Sequence, residues 1–268
     1  MVDIIDEKFR SLKEIIRDIG SVLVAFSGGV DSTFLLKVAH DELRDKVLAL
    51  TGVSATYPEH EFDDAKRLTS EIGVRHLIVP TKEMDMPDFY NNTRRRCYYC
   101  KKELFGICKE KAKDFQLAWV ADGTNYADRE DFRPGMEAAR EAGIRSPLLE
   151  AMLTKDEIRQ LSKNLNLSIW DKPSFACLSS RFPYGTMITH KLLNRIDGCE
   201  RFLRDMGFKQ FRVRYHKEIA RIEVDLKDIP RFCDANTTLK IVNKFKEFGF
   251  AYVTLDLEGY KTGKMNEA

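Results

Sequence analysis

One short stretch limits the architectures open to this chain more than any other. Val22-Leu23-Val24-Ala25-Phe26 is apolar and rich in β-branched residues. It stops at Ser27-Gly28-Gly29-Val30-Asp31-Ser32, and a periodic apolar segment, Phe34-Leu35-Leu36-Lys37-Val38-Ala39, follows. The pattern reads as buried strand, tight glycine turn and helix. Such a turn aims backbone N–H groups and a helix N-terminus at one point, which makes an anion site. Adjacent glycines let the backbone approach a phosphate with no Cβ in the way. Asp31 and Ser32 also suit an N-cap or a first helical turn, so a plain capped helix is a second reading. A cap needs one Ser or Asp, however, and not the whole string.

The surrounding pattern alternates. Residues 4–19 carry apolar positions at helical spacing, ended by Gly20. A strand at Val47–Leu50, a helix from Pro58 to Ile72 and a strand at Val74–Val79 follow, then a helix from near Cys97 to Asp114 and a strand at Leu117–Ala121. Strand and helix at these intervals predict an α/β fold with a doubly wound parallel sheet and right-handed crossovers. Ligands gather at the carboxyl ends of such strands, so Ser27–Ser32, Thr51–Ser54 and Asp122-Gly123-Thr124-Asn125 are expected along one edge. Asp-Gly is also an ordinary turn; its weight comes from coinciding with the other strand ends.

Arg133-Pro134-Gly135 opens a further helix, and Thr154 with Glu157 has capping-box spacing. Residues 169–184, with two prolines, several aromatics and Cys177, read as an ordered functional loop. Beyond it the chain predicts a helix over 189–206 and a hairpin of Phe211–Tyr215 with Ala220–Val224. Two short helices flanking Asn236 and a strand at Tyr252–Leu257 complete it. The expected division is a nucleotide domain over 1–184 and a small α+β domain over 185–268, for substrate binding or oligomerisation. Lys261–Ala268 is expected to fray.

With 268 residues, 43% hydrophobic and 32% charged, the chain has ample core for this plan. A net charge of +2 is too small to imply nucleic-acid or membrane binding. No opening h-region or membrane-length apolar run is visible, so the cytoplasm is the default. Six cysteines without a secretory signal argue for thiol or metal chemistry over a disulfide framework.

Cys97-Tyr98-Tyr99-Cys100 follows Arg94-Arg95-Arg96 and precedes Lys101-Lys102. Alone it suits half a zinc site, a redox pair or part of an iron–sulfur site. The context is not thioredoxin-like, and a zinc site lacks a second C-x-x-C or H-x₃-H. Cys177 is the third candidate ligand; Cys108, Cys199 and Cys233 lie at apolar helical positions and are expected in the core. Three thiolates on a four-iron cluster leave one iron open to a sulfide or a substrate atom. The arginine run would offset the cluster's charge or form a solvated face. Arg212 and Arg214 share one face of an alternating strand; with Arg181 they form a second basic set suited to phosphate, or an ordinary surface. Glu200 and Glu223 could pair with them or bind a metal.

The glycine turn has neither the lysine of a Walker loop nor the dinucleotide Gly-x-Gly-x-x-Gly. It resembles the PP-loop of ATP pyrophosphatases, which cleave ATP between the α- and β-phosphates and pass AMP to an acceptor oxygen. Together with Asp122–Asn125, Arg133-Pro134-Gly135, Pro173-Ser174-x-Ala176-Cys177-Leu178-x-Ser180-Arg181 and Arg212-Val213-Arg214, it resembles the LarE family over nearly the whole chain. The Cys177 stretch is the specific part. Members are ATP-dependent sulfur transferases for the nickel-pincer cofactor of lactate racemase.

The resemblance implies adenylation of a carboxylate on a pyridinium biscarboxylate mononucleotide, then sulfur insertion to give a thiocarboxylate. It implies ATP held by Ser27, Gly28, Gly29, Asp31, Ser32 and Gly123, with Mg²⁺ assisted by Asp31. The substrate phosphate would meet Arg212 and Arg214, with Arg181 in the same basic set. Members with only the cysteine matching Cys177 donate that sulfur and keep dehydroalanine. This sequence departs from them through Cys97 and Cys100 and resembles the branch whose three cysteines hold a [4Fe-4S] cluster, an added sulfide being the donor. A homo-oligomer and a separate sulfide donor are expected. A tRNA thiolase is the enzymatic alternative, although it would want a broad basic surface; a nucleotide-binding iron–sulfur or zinc regulator without turnover is the other.

Overall fold

The computed structural model describes residues 4–130, 134–173 and 176–261. The expectations for Arg133, for Ser174 and for the tail beyond Lys261 lie outside the described residues. The chain divides into two compact units, Met1–Phe89 with Arg95–Phe175, and Tyr90–Arg94 with Ala176–Ala268.

The first unit runs α1 (Ile4–Ile19), β1 (Val22–Ala25), α2 (Val30–Leu43), β2 (Val47–Val53), α3 (Glu59–Ile72), β3 (Arg75–Pro80) and all but the last residue of a short α4 (Pro87–Tyr90). It continues through α5 (Arg96–Asp114), β4 (Trp119–Ala121), α6 (Pro134–Glu141), α7 (Pro147–Glu150) and α8 (Lys155–Asn164). The four strands form a parallel sheet in the order β3-β2-β1-β4. Period-two alternation sends successive side chains to opposite faces. Val22, Val24, Val47 and Ala49 pack with α1, α2, α3, α7 and α8, whereas Leu23, Ala25, Leu48 and Leu50 pack with α5 and α6. The helices change face where the strand order reverses between β1 and β4, as right-handed crossovers require. Each fully buried Leu or Val contributes about 1.5–3 kcal/mol, so the strands that carry the glycine turn form a firm base for it.

Local signals operate as written in the sequence. Thr154 and Glu157 form a complete capping box on α8, and Pro58 stands as the N-cap of α3, one position before its first turn.

The second unit holds α9 (His190–Asp205), β5 (Phe211–His216), β6 (Ile219–Val224), α10 (Ala235–Glu247) and β7 (Tyr252–Leu255). β5 and β6 pair antiparallel and β7 joins β6 in parallel, a small mixed sheet. Tyr90–Arg94 belongs here because Asn92 donates to the Phe182 and Pro183 carbonyls at 3.2 and 2.7 Å, and Ile188 N–H donates to Tyr90 O at 2.7 Å. Two expectations are corrected. One helix, α10, runs through Asn236 in place of two flanking it, because Asp234 caps it by accepting from Thr237 N–H at 2.7 Å. Cys233 ends the 3₁₀ segment Leu226–Cys233 and is exposed, not in the core.

Candidate active site

The glycine turn leaves β1 at its carboxyl end and enters α2. Gly29, not Asp31 or Ser32, is the N-cap, and no side chain caps the helix, which removes the plain capped-helix reading. The first intrahelical bond is Thr33 N–H to Gly29 O at 3.0 Å, so the N–H groups of Val30, Asp31 and Ser32 have no helical acceptor. The serines shape the turn. Ser32 Oγ donates to Gly29 O at 3.2 Å and lies 3.1 Å from Ser27 Oγ, which accepts from Gly29 N–H at 3.4 Å. Gly28 has φ +66°, which favours glycine, and a Cβ there would stand a tight 3.3 Å from Ala65 Cβ on α3.

The three strand ends meet as expected. Thr51 Oγ1 donates to Phe26 O at 2.8 Å, and Phe26 N–H to Leu50 O at 2.8 Å, locking the end of β1 to β2. On the other side Gly123 abuts the start of α2: a Cβ on it would lie 2.9 Å from Ser32 N. Asn125 Nδ2 donates to Asp31 Oδ2 at 3.3 Å, while Asp31 Oδ1 is buried without a hydrogen-bond partner. Burial, with Asp128 adding to it and Lys155 opposing it, holds the Asp31 carboxyl above the usual aspartate range. A hard cation would satisfy that orphaned oxygen, so the site fits Mg²⁺. Asp122 has a local task, accepting from the Thr124 hydroxyl and the Ser146 hydroxyl, each at 2.8 Å.

Two further groups brace the turn and carried little signal in the sequence. Tyr57 OH donates to Ser27 O at 2.8 Å. Lys172, directly before Pro173, places Nζ 3.4 Å from Gly28 O and donates to Glu61 and Asp64 on α3. An Asp-Lys-Pro string beside the Cys177 loop was the only hint of it.

No two of the six cysteines are joined in a disulfide. Cys97 and Cys100 lie on the first turns of α5, exposed and half-buried respectively; Cys177 is half-buried in the second unit. Cys108 and Cys199 are core residues, as expected. Burial pushes the Cys108 thiol up to about 12 and the Cys199 thiol higher still, which makes both inert. The accessible, reduced set is thus Cys97, Cys100, Cys177 and Cys233. Its first three members have the soft-donor chemistry an iron–sulfur cluster takes. Among the described residues no group of three His, Cys, Asp or Glu is gathered as a metal centre. The neighbouring arginines are engaged by protein: Arg95 pairs with Glu137 at 3.0 Å and stacks on Tyr98, and Arg96 is buried.

In the second unit the basic set is buried rather than solvent-facing. Arg181 donates from Nε and Nη2 to the two oxygens of Glu200, both at 2.9 Å, and from Nη1 to Ala176 O at 2.5 Å, Cys177 O at 3.1 Å and the Ser180 hydroxyl. Its guanidinium therefore orients the Cys177 loop. Glu200 also accepts from Val213 N–H at 2.9 Å, which ties α9 and that loop to β5. Arg214 donates to Ser180 O and to Glu223, with its Nε unpartnered. Burial and the adjacent Arg181 pull the Arg212 guanidinium down to about 10. Arg181, Arg212 and Arg214 thus face the two carboxylates Glu200 and Glu223, an excess of positive charge that suits an anion.

The fold and the glycine turn are those of a PP-loop ATP pyrophosphatase. A family model for NAD synthase matches residues 4–102, ending within α5 and leaving the Cys177 loop outside. An uncharacterized protein of Synechocystis sp. is 43% identical over 262 residues, 98% of each chain. The pyridinium-3,5-bisthiocarboxylic acid mononucleotide synthase of Lactiplantibacillus plantarum is 39% identical over 261 residues, 97% of this chain and 94% of that one. The tRNA-specific 2-thiouridylase MnmA of Halothermothrix orenii is 25% identical over 194 residues, 57% of this chain and 53% of that one. This chain belongs to the LarE family of ATP-dependent sulfurtransferases. Among the described residues no helix is long and apolar enough to cross a membrane.

Proposed function

We propose that the protein adenylates a carboxylate of a pyridinium biscarboxylate mononucleotide and converts it to a thiocarboxylate, in synthesis of a nickel-pincer cofactor. The observation that carries the reading is the uncapped start of α2 beside the unpartnered Asp31 oxygen, at the edge where three parallel strands end. A carboxylate oxygen attacks the α-phosphorus and pyrophosphate leaves; a sulfide then displaces AMP from the acyl carbon. Backbone N–H groups of Val30–Ser32 hold the departing phosphates, and Asp31 would hold Mg²⁺, which would share their charge. Gly123 keeps the β4 turn close to that helix start. Arg212 and Arg214 take the phosphate of the mononucleotide, while Arg181 orients the loop that bears Cys177. The second unit serves substrate binding and self-assembly.

Cys97, Cys100 and Cys177 would hold a [4Fe-4S] cluster, which when bound supplies an open iron to carry the sulfide that an external donor delivers. Three accessible reduced thiols support this over a sacrificial Cys177. Anaerobic reconstitution followed by iron and acid-labile sulfide analysis tests it: about four of each per chain is expected, and an iron-free colourless protein overturns the cluster. Loss of H₂S mass at Cys177 after a single turnover would establish sacrificial donation in its place.

A further inference from the structure

The segment between α8 and the Cys177 loop carries a cation that the proposed chemistry leaves unused. Lys172 Nζ donates to Glu61 Oε2 at 2.6 Å and to Asp64 Oδ2 at 2.8 Å, and lies 3.4 Å from Gly28 O. Its backbone is held separately, because Arg159 on α8 donates to the carbonyls of Trp170 and Lys172, each at 2.6 Å. Lys172 thus spans α3 and the nucleotide turn.

That position matters because of what α3 presents. The helix touches the turn directly through Ala65 against Gly28. Asp64 precedes Ala65 in the chain, and Glu61, only 5% exposed, lies one helical turn earlier. Burial pushes the Glu61 carboxyl up, but His60 and Lys172 more than offset this and keep it ionised; Asp64 is held below its usual value in the same way by Lys172 and Arg67. Two carboxylates therefore stand beside a turn built to receive a polyphosphate. Like charges a few ångströms apart in a partly desolvated site repel strongly, so without compensation this helix would oppose the ligand.

We propose that Lys172 is a positioning residue for the nucleotide, which neutralises Glu61 and Asp64 against the triphosphate of ATP and holds the Gly28 carbonyl in place. The inference rests on the reading that Ser27–Ser32 binds ATP. It assigns Lys172 a charge-balancing task, distinct from a packing task, and the two differ in sign for particular variants. Removing the lysine weakens ATP binding; removing Glu61 while keeping the lysine strengthens it. A packing brace predicts weaker binding in both cases.

The test is calorimetric titration of the full chain with ATP and Mg²⁺ at low and high ionic strength, for wild type, K172M, K172R, E61Q and E61Q/K172M. K172M weakens binding roughly tenfold at low salt, and the gap narrows at high salt as screening grows. K172R stays near wild type, E61Q binds more tightly by a few-fold, and E61Q/K172M regains most of the loss. Unchanged affinity in K172M overturns the inference, as does a double variant no better than K172M. If K172M fails to fold, E61Q alone decides: weaker binding than wild type overturns the proposal and tighter binding sustains it. A wild-type chain that takes up no ATP would remove the proposed function itself, a result separate from all of these.

Discussion

The Arg181–Glu200 pair permits a prediction that can be worked from geometry. Glu200 is 3% exposed and accepts three hydrogen bonds, two from Arg181 and one from Val213 N–H, all at 2.9 Å. Glu200→Gln keeps the shape and removes the charge. The amide NH₂ must then face an Arg181 nitrogen, so one acceptor is lost and two donors oppose each other. The Arg181 cation, 2% exposed, is left without its counter-ion while Arg212 and Arg214 remain nearby. Removing one partner of such a buried pair costs about 3–5 kcal/mol. With an m-value of about 2 kcal/mol/M, the urea midpoint should fall by about 2 M. Far-UV circular dichroism measures the midpoint, and hydrogen exchange locates the damage in Leu178–Phe182 and Phe211–His216. The pH dependence carries a second signature. Arg181 overcomes burial and holds the Glu200 carboxyl below its ordinary 4.5. A depressed carboxylate stabilises the fold above its unfolded pKa, and that contribution is lost as pH falls below about 4.5 through the folded pKa. The acid-side loss should therefore be shallower in the variant. A midpoint within about 0.5 M of wild type, with unchanged protection in both segments, would refute the reasoning.

Other expectations follow from single contacts. Gly123→Ala drives a Cβ to 2.9 Å from Ser32 N; it should cost about 1–3 kcal/mol and lower ATP-dependent pyrophosphate release, read by a coupled phosphate assay. Folding raises the Asp31 pKa, so the free protein loses stability as pH rises through that value. Asp31→Asn should therefore melt higher than wild type at neutral pH in calorimetry, yet gain nothing from Mg²⁺ and ATP; a lower melting point in the free variant contradicts this. Iodoacetamide at neutral pH should label Cys97 and Cys233 in the reduced cluster-free protein and spare Cys108 and Cys199, as peptide mass mapping will show.

Much of the first unit was legible because its signals are local. The strands are short apolar runs bounded by turns, Thr154 and Glu157 sit three apart, and Ser27–Ser32 spans one turn. The second unit was harder. Asn236 resembles a helix breaker until Asp234 is recognised as the cap before it, and Cys233 has an apolar neighbourhood in sequence but a solvent-facing place in the 3₁₀ segment. The burial of Arg181, Arg212 and Arg214 could not be read from alternation. It depends on Glu200 arriving from α9 and Glu223 from β6. Lys172 was hidden for a similar reason: its partners on α3 lie more than a hundred residues away in the chain.

The bare start of α2 has a consequence for the life of the free enzyme. Replacing a good cap by glycine costs a helix a few tenths of a kcal/mol, and here Gly29 is the cap and offers no side-chain acceptor. The phosphates of the nucleotide would complete the helix in place of a residue, so substrate doubles as a structural element. Saturation at about a hundred times Kd would add about 2.7 kcal/mol to the stability of the whole. Starvation for ATP would then expose the protein to proteolysis as well as idle it, and abundance would track the energy state of the cell through the end of one helix.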